Sequence, residues 1–369
     1  MADDAAAELP AAFAQSYAEA RNKFLQAAAG AGLAVHAHRH PLLGRDGEEL
    51  AVDVARHGAA DAPSLLIVTS GCHGLEGFCG SGIQVRLLQQ GQVLRQAAQA
   101  GVALLFVHAL NPWGFSWWRR TTQENVDLNR NFVDFGQPLP ANPGYDELAH
   151  ALVPVHWPPA AAAEQVIAGF IARHGMKGFQ TAVSSGQHDH PEGLFFAGRN
   201  PSWSQRTWRE ILREHAQRCR RLGWIDLHTG LGPNGHGERI FSAREDAATL
   251  ARARQWWGEQ VTSIYDGSST SARLFGMAFE AVYQECPQAE YTGIALEYGT
   301  LPMTEVMTAL RADQWLENHP ETPDDVRRTI KRQTRDAFYT DSDDWKRQVV
   351  AQADEAVQQA LAGLAAPGR

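Results

Sequence analysis

Cysteine is scarce in this chain of 369 residues: Cys72, Cys79, Cys219 and Cys286 form neither a C-x-x-C pair nor a dense framework. That excludes a disulfide scaffold and fits reduced thiols in a cytoplasm, the expected compartment. Long basic runs are missing too. Against 33 lysines and arginines stand 42 acids, a formal charge of −9, which argues against a nucleic-acid or anionic-membrane surface. No stretch is long and apolar enough to span a membrane, and the start lacks the basic and apolar regions of a signal peptide. No G-x-S-x-G elbow follows a strand-like run. Gly80-Ser81-Gly82 falls inside an expected helix, so a serine hydrolase of the α/β type ranks last. There is no internal repeat.

What is present is the balance of a soluble globular protein, 44% hydrophobic and 20% charged, with length enough for one large core. We expect a single domain over 1–369, with an N-terminal helix at 11–29, the core at 50–310 and a helical segment at 304–364. Leu65 to Val68 reads as a buried parallel strand, broken by Ser70 and Gly71. A turn with His73 and Glu76 follows, and then a helix from Phe78 to Gln89. Val102 to Ala109 is the next buried strand, so the unit is strand, crossover helix, strand in a mostly parallel sheet. Trp224 to Leu227 is another short strand, running into the Gly-rich loop Gly230 to Gly237, and the stretch Gly293 to Thr300 repeats that design with a carboxylate. Ligands of such sheets collect at the carboxyl ends of strands. Those ends carry His73 with Glu76, Asn129 with Arg130, His228, and Glu297. Singly each has an ordinary alternative, such as a bonded core histidine, half an ion pair or a buried acid. Together they supply the parts of metal-assisted hydrolysis: ligands, a base for water, and cations for a carbonyl substrate.

Elsewhere, His36, His38 and His40 alternate on one face of a strand expected over Leu33 to His38, with Leu50 to Ala55 as its partner. They read as an exposed polar face, because no carboxylate or cysteine accompanies them. Residues 133–160 read as a long surface loop near the site, Ala161 to His174 and Ser204 to Arg220 as helices, and Gly186 to Arg199 as a loop. His188 and His190 in that last loop offer a possible second metal pair, though a substrate- or solvent-facing role is favoured. Cys72 is expected to point away from its neighbour His73.

The motifs His73-Gly-Leu-Glu76, Asn111-Pro-Trp-Gly-Phe115, Asp127-Leu-Asn129-Arg130-Asn131-Phe132, Asp226-Leu-His228-Thr-Gly and Leu296-Glu297-Tyr298-Gly come in the order of a known group. The chain resembles the carboxypeptidase A-type zinc metallopeptidases, in a bacterial branch related also to aspartoacylase and succinylglutamate desuccinylase. The resemblance implies an α/β fold with a twisted, mostly parallel mixed sheet of about eight strands and helices on both faces. It implies one zinc ion per chain held by His73, Glu76 and His228, with Glu297 as general base. Arg120, with Arg119 as its close competitor, would polarise the scissile carbonyl; Thr122 stands at the aspartoacylase offset. Asn129 and Arg130 would clamp a substrate carboxylate, and Asp226 would bear on a ligand imidazole. Tyr265, Tyr283, Tyr291 and Tyr298 are candidates for a capping tyrosine. The implied activity is zinc-dependent hydrolysis of an amide next to a carboxylate, in a small peptide or, alternatively, an N-acyl amino acid. A non-catalytic binding relative is disfavoured, since no ligand or base is lost. A homo-oligomer is compatible with the helical tail.

Overall fold

The computed structural model of the protein describes residues 9–366. Helix α1 spans Tyr17–Gly30, not 11–29, because Ser16 caps it by accepting from the Glu19 amide, while Phe13 ahead of it is extended. An antiparallel hairpin follows, β1 (Val35–Leu43) and β2 (Glu49–His57), its turn closed at Gly47 with φ of 82°. Strand β3 (Ser64–Thr69) is buried along its whole length, as its unbroken apolar run requires. Helices α2 (Gly77–Gln90) and α3 (Gln92–Ala100) then cross over to β4 (Ala103–His108), which lies parallel to β3.

A short helix, α4 (Pro112–Ser116), leads into the 133–160 region. That region is not all loop. It contains α5 (Pro143–Leu152), with Asn142 as its cap and Pro143 in the first turn, where a missing amide costs nothing. Helix α6 (Ala161–Ser184) runs well past His174, across a break at Gly175, and α7 (Trp203–His215) follows the 186–199 loop. Strand β5 (Arg221–Asn234) continues through the glycine-rich stretch, pairing with β7 (Glu290–Gly299) and slipping register between Gly230 and Asn234. Between them come β6 (Gly237–Phe241), α8 (Ala247–Trp257) and α9 (Glu280–Glu285). The tail forms α10 (Met303–Asn318), α11 (Asp324–Phe338) and α12 (Asp343–Ala365).

The described sheet has seven strands in the order β1-β2-β4-β3-β5-β7-β6, against the eight implied by resemblance. Its centre, β4-β3-β5-β7, is parallel, and the remaining pairs are antiparallel. Helices cover both faces. Side chains alternate across a strand, so Gly223 faces Leu364 of α12 and Trp256 of α8, while Trp224 faces Trp208 of α7 with ring centroids 5.1 Å apart. From β3 the chain goes to β4 on one side and later to β5 on the other. The carboxyl end of β3 is thus the switch point where an α/β sheet opens a crevice, and His73 and Glu76 stand there.

Candidate active site

The turn after β3 is held from below. Gly74 and Leu75 donate their amides to the carbonyl oxygens of Arg120 and Arg119, each at 3.1 Å. A Cβ at position 74 would lie 2.1 Å from the Gly114 carbonyl carbon, so only glycine lets the two loops approach this closely. That contact fixes His73, Glu76 and Arg120 relative to one another. On β5, Asp226 and His228 share a face, and His228 is the register partner of Glu297 on β7.

These side chains converge. Glu76 Oε1 is 2.8 Å from His73 Nδ1 and its Oε2 is 2.7 Å from His228 Nδ1. Each imidazole is backed by an aspartate on its other nitrogen: His73 Nε2 is 3.1 Å from Asp127 Oδ1, and His228 Nε2 is 2.7 Å from Asp226 Oδ2. Asp226 in turn accepts from the Thr69 hydroxyl, which accepts from Trp224 Nε1, so β3 and β5 together brace the His228 ring. All these acids and imidazoles are buried. Burial works against the charge on Glu76, but His73 and His228 outweigh it and hold the carboxyl well below the usual range. Burial likewise opposes a charged His228, yet Asp226 and Glu76 raise it well above an ordinary imidazole.

The donor set fits a metal ion. A neutral His228 that gives its Nε2 hydrogen to Asp226 turns a lone pair, not a hydrogen, toward the Glu76 carboxylate. That pairing is repulsive unless a cation, a proton or a metal, stands between them. His73, Glu76 and His228 offer ligand atoms that all lie within 4.8 Å of one another, the imidazole and carboxylate donors that zinc takes in catalytic sites.

Glu297 is half-buried beside this set. Burial first, and the Glu76 charge second, push its carboxyl up to about 7, while the Leu231 amide donates to its Oε1 at 3.0 Å. Arg120 bridges the acids, Nη1 to Glu76 at 2.9 Å and Nε to Asp127 at 3.0 Å, and its Nη2 lies 2.9 Å from His73 Nε2. Arg130 is buried, donating to the carbonyls of Ser184 and Asn129, and the Asn129 side chain accepts from the Ala278 amide. Phe195 packs against both guanidiniums, its centroid 5.3 Å from Arg120 and 5.8 Å from Arg130. A cavity of about 120 Å³ opens over these groups. Its remaining wall is mostly apolar, with Ile240, Ile264, Leu274, Met277, Val306 and Leu310.

Seven of the eight candidates therefore line one cavity: His73, Glu76, Arg120, Asn129, Arg130, His228 and Glu297. Arg119 does not. Its buried guanidinium is turned to α10, where it meets Gln314, Asp313 and Glu317. His188 and His190 do not meet at a site either: His188 bonds the Gly198 carbonyl and His190 reaches Asp146. None of the four candidate tyrosines lines the cavity, each hydroxyl being bonded to the backbone elsewhere. The Cys72 sulfur lies within 4.8 Å of ligand atoms of Asp226 and His228, and burial pushes its thiol well up. Two residues were missed as participants. Asp127 stands in a quoted motif two residues before Asn129, where its backing of His73 was open to inference; Phe195 carries no sequence signal.

A family model described as a protein of unknown function, DUF2817, matches residues 13–352. The chain belongs to that family. No curated protein matches it. Among solved structures, bovine thrombin-activatable fibrinolysis inhibitor in complex with tick carboxypeptidase inhibitor is similar at 11% identity and a TM-score of 0.50, over 95% of this chain and 97% of that one. Carboxypeptidase A from Helicoverpa armigera is similar at 13% identity and a TM-score of 0.39, over 88% and 74%. A protein assigned to the succinylglutamate desuccinylase/aspartoacylase family from Shewanella amazonensis is similar at 17% and 0.33, over 78% and 73%. The DUF2817 chain thus has a carboxypeptidase-like α/β fold. No described helix is long and apolar enough to cross a membrane.

Proposed function

We propose that this protein is a zinc-dependent hydrolase that cleaves an amide bond next to a carboxylate. The observation that carries the reading is the meeting of His73 Nδ1 and His228 Nδ1 on the two oxygens of Glu76, with Glu297 on the same cavity wall. His73, Glu76 and His228 would hold the zinc ion, which when bound supplies a Lewis acid and an acidified water. Glu297, with a carboxyl poised near neutrality, takes a proton from the attacking water and returns one to the leaving amine. Arg120 carries the positive charge nearest the reacting carbonyl and exchanges part of its hold on Glu76 and Asp127 for the developing oxyanion. Arg130 and Asn129 receive the substrate carboxylate, a planar guanidinium being suited to two parallel hydrogen bonds. Four acids, Glu76, Asp127, Asp226 and Glu297, gather here against Arg120 and Arg130, so a divalent cation would balance the charge.

The cavity favours small substrates. About 120 Å³ with an apolar remainder accommodates one residue and a compact acyl group better than an extended peptide. That supports N-acyl-amino-acid deacylation beside carboxypeptidase action on short peptides, in a cytoplasmic enzyme. The test is amine release by the zinc-loaded enzyme from matched N-acetyl amino acids and dipeptides with apolar or charged carboxyl-terminal residues. Turnover of apolar members that is lost on amidation of their carboxylate supports the reading, and equal turnover of the amides sinks it.

A further inference from the structure

A second group of imidazoles gathers far along the sheet, at its β1 edge. His36 and His38 lie on one face of that strand, their ring centroids 4.6 Å apart. Their sequence lacks a neighbouring acid, but the fold brings one, since the end of α7 places Glu214 and His215 against them. Glu214 Oε2 is 3.7 Å from His36 Nδ1, 3.8 Å from His38 Nε2 and 3.8 Å from His215 Nε2. Three imidazole nitrogens thus surround one carboxylate oxygen at nearly equal distance. None is close enough for a hydrogen bond, in contrast with the 2.7 and 2.8 Å contacts at Glu76.

That spacing has a chemical meaning. Donors bound to one tetrahedral zinc ion at about 2.0–2.1 Å sit about 3.3 Å from one another, and the ligand atoms of His36, His38 and Glu214 all lie within 4.8 Å of one another, while His215 stands outside that set against Glu214. Two of the nitrogens also lack any other use. Among the described residues His38 Nε2 and His215 Nε2 are buried without a hydrogen-bond partner, the His38 side chain being only 10% exposed. His36 and Glu214, at 61% and 46%, leave the group open to solvent on one side. Glu210 adds negative charge toward His38, and the nearby Arg56 guanidinium is engaged by the carbonyls of His215 and Ala59.

We propose that His36, His38 and Glu214, with His215 at their margin, form a second metal site, separate from the cavity, for a divalent transition ion that prefers imidazole, with zinc as the probe. The site would clip β1, the edge strand of the described sheet, to the end of α7. Metal bound to the folded chain alone stabilises it by mass action.

The test uses the full chain, stripped of metal and titrated with zinc against a chromophoric competitor. The expected result is two ions per chain for wild type, one for His38→Asn, one for Glu214→Gln, and one for the His73→Asn/His228→Asn double variant. Glu214→Gln alters an exposed side chain, so it reads the site even where His38→Asn disturbs packing. In the double variant, zinc should also raise the melting temperature, and Glu214→Gln should abolish that rise. Unchanged zinc uptake in both His38→Asn and Glu214→Gln would overturn the proposal and leave a solvated histidine patch.

Discussion

Replacing Glu297 by glutamine should make the zinc-loaded enzyme inactive and the metal-free protein, above neutrality, more stable. In the folded chain this carboxyl is raised from an ordinary 4.5 to about 7 by burial and by the Glu76 charge. At about 1.4 kcal/mol per pH unit, that rise means the ionised side chain costs the fold roughly 3 kcal/mol. Since Glu297 is half-buried and lines a solvent-connected cavity, screening brings the working figure to about half. The sign follows from the direction. Below about 4.5 the group is neutral folded and unfolded, and nothing is lost; as pH climbs to about 7 the unfolded chain ionises freely while the folded one resists, so stability falls and stays lower above it. Glutamine can still accept from the Leu231 amide and never ionises. At about 1–2 °C per kcal/mol for a chain of this length, melting of the metal-stripped variant should rise by about 2 °C over wild type near pH 8, with little difference near pH 4.5. An equal or lower melting temperature near pH 8 would show that Glu297 ionises without penalty and is not a poised base.

Other consequences separate the parts of the site. Asp226→Asn, which removes the negative charge and leaves one accepting oxygen for both His228 Nε2 and the Thr69 hydroxyl, should weaken zinc binding about 10–100-fold in a competition titration while leaving the circular dichroism intact. Arg119→Ala and Arg120→Ala should part company. The first takes a buried cation from Asp313 and Glu317 and should cost roughly 3 kcal/mol in urea unfolding, moderated because Lys331 still pairs both acids. The second should chiefly lower kcat, by about 10²–10³-fold, with the zinc site still loaded. Gly74→Ala puts a Cβ 2.1 Å from backbone at Gly114 and should lower the melting temperature and, by displacing Glu76 and Arg120, the rate as well.

The site was largely legible because its parts sit at interruptions of buried strands. Leu65 to Val68 is apolar with β-branched members, and Ser70 and Gly71 stop it, which puts His73 and Glu76 at a strand end from the sequence alone. What escaped was set by contacts between distant segments. The choice between Arg119 and Arg120 is made by α10, whose Asp313, Gln314 and Glu317 claim the former. Glycines 230 and 232 read as a loop, yet β5 keeps its pairing with β7 past Gly230, because a ladder depends on the partner and not on local propensity. Helix α5 did leave a signal, Asn142 before Pro143, that the surrounding prolines obscured. The acid that completes the β1 histidine group lies in α7, and no reading of His36 to His40 alone supplies it.

The central claim is that His73, Glu76 and His228 are metal ligands of a hydrolytic site. The most direct measurement is the zinc content of wild type and His228→Asn, prepared in parallel, with amine release followed on the same samples. The account predicts that the variant carries one zinc ion per chain fewer and loses turnover with it. Equal zinc in the two proteins, or full turnover in a variant that has lost the ion, would contradict it.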